Sequence, residues 1–164
     1  MPELTPREAS SPLASGRRNR LAAGPDVLFV YGTLQFDAVL EALLGRIPSR
    51  TPASAPGWRA AALEGRLYPG LVPAPTASAP GLLLTDLSKA EWAILDAFED
   101  ARYNLGQVTL SSGDRGWAYL WPDGEVRPED WDAEHFAALH LEAYAARCAR
   151  IAERLVAEGL DAVG

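Results

Sequence analysis

A β-branched and aromatic run, Val27-Leu28-Phe29-Val30-Tyr31, stops at Gly32, and helical spacing takes over across residues 36–44. Such a run reads as a buried strand, because branched and ring side chains pack well on a pleated surface. Val39, Leu40, Leu43 and Leu44 fall on one side of the following helix, and Gly45 is placed to cap its end. A chain whose order begins with strand, glycine loop and helix must cover an apolar strand with an apolar helix face.

The rest of the chain supplies the remaining layers. Residues 58–63 and 65–72 read as short strands, 73–80 as a loop by its proline content, and Gly81-Leu82-Leu83-Leu84-Thr85 as another short strand. Ser88 with Glu91 three residues later is a capping-box pattern, and Trp92, Leu95 and Phe98 continue at helical spacing. Residues 107–111 and 117–121 predict a β-hairpin around 112–116. Leu141, Tyr144, Cys148, Ile151 and Leu155 form one seam on a single long helix predicted from about Asp132 to Glu158. Strands and helices do not alternate regularly, so the expectation is α+β and not a doubly wound sheet.

Residues 1–25 are rich in Pro, Ser, Ala, Gly and Arg and carry no periodic apolar pattern, so they read as a flexible tail before one domain over 26–164. A formal charge of −7 argues against a nucleic-acid partner, whose phosphates call for a basic face. No run approaches the roughly 20 apolar residues that a membrane helix needs. One cysteine excludes an internal disulfide, and with no apolar leader segment the cytosol is the expected compartment. Oligomeric state is left open.

Common catalytic signatures are absent: no G-x-S-x-G, phosphate-binding loop, G-x-G-x-x-G or H-E-x-x-H occurs. His135 and His140 are five apart on the expected helix, which points them to different faces and away from a shared metal. Two features remain. Tyr31-Gly32-Thr33-Leu34 stands where a strand enters a helix, a junction that can aim backbone N–H groups at an anion. Asp96, Glu99 and Asp100 crowd the C-terminal end of the Ser88 helix, where repulsion and the helix dipole oppose ionisation and should raise at least one pKa. A carboxyl tuned upward suits proton transfer near neutral pH. A plain turn and a solvated acidic helix end would carry the same residues, so each feature alone leaves both readings open.

Together the pieces resemble a known family. Tyr31-Gly32-Thr33-Leu34, Leu44-Gly45-Arg46-Ile47-Pro48, Arg66-Leu67-Tyr68-Pro69-Gly70-Leu71-Val72-Pro73, Leu95-Asp96-Ala97-Phe98-Glu99-Asp100 with Tyr103, and Tyr119-Leu120-Trp121 resemble, in consistent order, the conserved blocks of the gamma-glutamylcyclotransferase-like superfamily. The C-terminal helix makes the chain most similar to its plant avirulence-induced-gene branch. The resemblance implies a small mixed β-barrel with flanking helices and a long C-terminal helix. It implies cyclisation of a γ-glutamyl amide to 5-oxoproline with release of the amine, and neither metal nor cofactor. Glu99 stands at the family's catalytic glutamate. Tyr31, Gly32, Thr33 and Leu34, with Gln35 and Phe36 beside them, match its substrate-binding loop, and Tyr103 matches a pocket tyrosine. The chain departs where many relatives carry Arg, at Leu105, and where many carry Gly, at Asp100. A binding module that keeps the pocket without turnover is the alternative.

Overall fold

β1 (Leu28–Val30) is buried on both faces, and its alternation divides the core in two. Leu28 and Val30 face one cluster with the helices, while Phe29 and the following Tyr31 face a second cluster with Ala55, Leu71, Ala79, Val108, Leu110 and Ala118. Opposite faces of one extended run thus serve both layers. The computed structural model describes residues 20–122 and 125–160. A 3-10 turn (Thr33–Gln35) follows β1 and leads into α1 (Asp37–Leu44). Then come β2 (Arg50–Ala61), β3 (Gly70–Leu84), α2 (Lys89–Phe98), β4 (Asn104–Thr109), β5 (Arg115–Leu120), α3 (Ala133–Leu139) and α4 (Leu141–Ala157).

The α+β expectation holds, with one correction. The five strands form a sheet of order β2-β3-β1-β5-β4, with a further β3–β5 pairing, and the sheet is not closed into a barrel. β1 pairs antiparallel with residues 82–84 of β3 and parallel with β5. Its three residues are too few to tie the long β2–β3 ribbon down along its whole length. Pro52 and Pro56 lie on β2, where their missing N–H groups suit an edge strand.

Residues 73–80, expected to be a loop, lie within β3. Ser54 to Pro56 pair with Ser78 to Pro80, and Trp58 pairs with Pro73. Only residues 74–77 are left without a partner opposite Gly57, where the register shifts. Long-range pairing with β2 supplies what local composition argued against.

The first two helices follow their sequence signals closely. Gly45 caps α1 with φ of 77°, a left-handed conformation in which it lacks a Cβ to clash. Ser88 and Glu91 form the full capping box of α2. The single C-terminal helix expected over 132–158 is instead two, broken at His140 (φ −128°, ψ −18°). The break sets Phe136 against Phe36 and Trp131, at ring distances of 5.5 Å each, while Tyr144 packs edge-on against Phe98. Burying both rings in one core outweighs a continuous helix. Tyr144, Cys148 and Leu155 are buried along α4 as the seam predicts, and burial pushes the Cys148 thiol up to about 12. Among the described residues no helix is long and apolar enough to cross a membrane.

Most of the expected tail, residues 1–19, lies outside the described residues. Arg20, assigned to that tail by composition, is instead buried, and Leu21–Ala23 form a 3-10 turn beside it.

Candidate functional site

The Gly32 turn and the end of α2 meet in one recess. Its walls are Phe29 to Leu34 from β1 and the turn, Tyr68 and Pro69 ahead of β3, Glu99 and Tyr103 after α2, and Tyr119 of β5. It encloses about 340 Å³ of space, part of it open to solvent. The fold explains the meeting. β1 is central in the sheet, so its C-terminal end opens beside the first turn of chain after α2.

Tyr31, Thr33, Leu34 and Tyr103 are buried, and Glu99 is half-buried. The 3-10 turn uses the amides of Gln35 and Phe36, which donate to the carbonyls of Gly32 and Thr33. The amides of Thr33 and Leu34 are not consumed by the turn itself, as at any helical N-terminus. Gly32 sits hard against Pro69: a Cβ built on it would lie 2.8 Å from the ring carbons Cγ and Cδ.

Two residues expected in the binding loop lie elsewhere. Gln35 lines a neighbouring cleft of about 650 Å³ with Tyr31, Arg59, Asp130, Trp131 and residues 77–80. Phe36 is the first residue outside α1, and its ring packs on Phe136. Just after a strand, side chains in a tight turn point in rapidly changing directions. Linear adjacency to Leu34 therefore says little about which hollow a residue faces.

Tyrosines make up much of the wall, and two of them, Tyr68 and Tyr119, were not singled out as site residues from sequence. The hydroxyl of Tyr31 donates to the Tyr119 carbonyl at 2.5 Å and accepts from the Leu71 amide at 3.2 Å. The Tyr103 hydroxyl donates to the Pro69 carbonyl at 2.6 Å, and Tyr119 donates to Asp96 Oδ1 at 2.7 Å. Burial raises the pKa of all three phenols. The negative charge of Glu99 adds to the rise in each, as does that of Asp96 at Tyr119. They stay neutral donors at any ordinary pH, so these phenols present fixed dipoles to the recess. Their positions, scattered along the chain, give no common pattern in the sequence.

The crowded carboxylates of 96–100 are separated by the fold. Asp96 is buried in an ion pair with Arg20 at 2.9 Å. Asp100 accepts from the Tyr68 hydroxyl at 2.6 Å and from the Arg102 amide at 2.8 Å, with Arg66 3.6 Å away. Burial pushes the Asp100 carboxyl upward, but these hydrogen bonds and the Arg66 and Arg102 charges outweigh it and hold the pKa below its ordinary value. For Asp100, then, the expected rise from mutual repulsion is reversed. Tyr68, burdened by burial and by Asp100, is pushed up to about 12.

His135 and His140 have ring centroids 6.0 Å apart, closer than an unbroken helix would put them, because the break at His140 intervenes. Among the described residues no group of three or more His, Cys, Asp or Glu is placed to hold a metal ion.

The chain is similar to known proteins over most of its described residues. The family model for gamma-glutamyl cyclotransferase, AIG2-like, matches residues 28–135. AIG2-like protein D of Arabidopsis thaliana is 32% identical over 136 residues, a match covering 78% of this chain and 90% of that one. AIG2-like protein C of the same plant is 35% identical over 124 residues, covering 66% and 72%. A solution structure from Arabidopsis thaliana superposes with a TM-score of 0.56 at 28% identity, covering 78% of this chain and 91% of that chain. A structure described as gamma-glutamyl cyclotransferase superposes with a TM-score of 0.50 at 14% identity over 75% of this chain and 85% of its own, which is a likeness of fold. The chain belongs to the gamma-glutamyl cyclotransferase, AIG2-like family.

Proposed function

We propose that the protein is a cyclotransferase that converts a γ-glutamyl amide to 5-oxoproline and a free amine, with Glu99 as its acid/base. The observation that carries this reading is the shared recess: Glu99 and the turn of Tyr31, Gly32, Thr33 and Leu34 line the same hollow from distant parts of the chain.

In this mechanism the substrate's α-nitrogen attacks its own γ-carbonyl carbon. One C–N bond forms in the ring, and the C–N bond to the leaving amine breaks. Glu99 takes a proton from the attacking nitrogen and returns it to the departing one, so no water is consumed and the carboxylate is regenerated. Holding the glutamyl chain folded turns the reaction into a well-oriented intramolecular step. The amides of Thr33 and Leu34 are suited to the substrate carboxylate or to the oxyanion that develops on the γ-carbonyl. Neutral Tyr31, Tyr103 and Tyr119 supply the rest of the polar wall, and the substrate is a small molecule. Neither metal nor cofactor enters these steps.

The test is incubation of the purified full chain with a panel of γ-glutamyl amines and peptides, read by 5-oxoproline release. Product with at least one member supports the reading. Thermal stabilisation by the panel without product would instead identify a binding module.

A further inference from the structure

The turn that carries Glu99 is gripped by a residue from far outside it. Arg20 precedes β1 and the residues matched by the family model, yet it is only 8% exposed. Its Nε donates to Asp96 Oδ1 at 2.9 Å, and one terminal nitrogen donates to the Asp96 carbonyl at 2.9 Å. The other terminal nitrogen donates to the carbonyls of Asp100 at 2.8 Å and Tyr103 at 2.9 Å. The guanidinium carbon lies 5.1 Å from the centroid of the Tyr119 ring, and the Tyr119 hydroxyl donates to the same Asp96 oxygen.

These partners bracket Glu99. Asp96 lies in the last turn of α2, Asp100 follows Glu99 directly, and Tyr103 ends the turn before β4. Glu99 itself leaves the helix with φ −70° and ψ 146°, its amide still bonded to the Leu95 carbonyl. The last carbonyls of a helix have no donors of their own, and the negative end of the dipole favours a cation. A planar guanidinium with fixed, divergent N–H groups can serve three carbonyls and a carboxylate at once; an ammonium cannot. Through Tyr119 the same assembly reaches the Gly32 turn, because the Tyr119 carbonyl accepts from Tyr31.

We infer that Arg20 is a positioning residue for Glu99, fixing where its carboxyl stands in the recess by holding the carbonyls on either side of it. The kinetic consequence rests on the cyclotransferase reading; the structural consequence does not. The segment before β1 is then part of the working site, although composition marks it as tail.

The experiment uses the full chain with Arg20→Ala, Arg20→Lys and Glu99→Gln. Hydrogen exchange of the amides at 99–103 is compared with that of β1. In Arg20→Ala, exchange at 99–103 should rise about tenfold or more while β1 stays protected, and Arg20→Lys should fall between. Unchanged exchange at 99–103 in Arg20→Ala overturns the inference whether or not the protein turns over substrate. Where wild type releases 5-oxoproline, Arg20→Ala should lose kcat about tenfold or more with KM little changed. Millimolar free guanidinium should restore kcat in Arg20→Ala and not in Glu99→Gln. A loss confined to KM, or full activity in Arg20→Ala, overturns the inference. Absence of product from wild type defeats the cyclotransferase reading alone, and the exchange measurement still decides what Arg20 does.

Discussion

Tyr31 donates its phenolic proton to the carbonyl of Tyr119, 88 residues further along the chain, at 2.5 Å. The same hydroxyl accepts from the Leu71 amide, so one side chain ties β1 to both β3 and β5 in the interior. Tyr31→Phe keeps the ring but removes donor and acceptor together. Leaving buried polar groups short of a partner costs about 1–3 kcal/mol. Urea unfolding should show a lowered midpoint of that size with an unchanged slope. A midpoint equal to wild type would mean that this bridge contributes nothing to stability.

Gly32 has no room for a side chain. An alanine Cβ there would meet Pro69 at 2.8 Å, and Pro69 is itself fully buried and unable to move aside. Overpacking of this kind costs about 1–3 kcal/mol. Gly32→Ala should therefore unfold at lower denaturant and also lose substrate binding, since the recess narrows at its floor. Retained affinity in a stable Gly32→Ala variant would place the substrate elsewhere.

Arg46 holds Glu91 through two hydrogen bonds, at 2.6 and 2.7 Å, although Glu91 is only 3% exposed. Those bonds lower the Glu91 pKa from its ordinary 4.5, with burial opposing and the Ser88 amide assisting. The folded state thus releases this proton more readily than the unfolded state. The stabilisation is complete above the unfolded value and is lost as pH falls through the lower folded one. Glu91→Gln should cost about 1–3 kcal/mol at pH 7, and the gap to wild type should shrink below pH 4. A gap independent of pH across that window would contradict the ion-pair account.

Elements governed by neighbouring residues were legible in the sequence. Gly45 and the Ser88–Glu91 box mark helix ends because the caps act within a few residues; the β4–β5 hairpin was legible too, although its turn spans 110–114 and not 112–116. What local pattern missed depends on distant partners. Residues 78–80 become strand through β2, and the C-terminal helix breaks where Phe136 and Tyr144 must both reach the core. At the site, Tyr31 to Leu34, Glu99 and Tyr103 line one recess, while Gln35 lines the neighbouring cleft and the Phe36 ring packs on Phe136. Arg20 carried no signal at all, because one of three arginines within four residues gives no hint of a carboxylate 76 residues on.

In the proposed cyclisation Glu99 moves the proton. Glu99→Gln keeps the shape of the side chain and removes its ability to take up and return a proton. With a γ-glutamyl substrate that wild type turns over, 5-oxoproline release should fall about 10²–10⁴-fold while the melting temperature and ligand-induced stabilisation persist. Release at the wild-type rate by a folded Glu99→Gln protein would contradict the account.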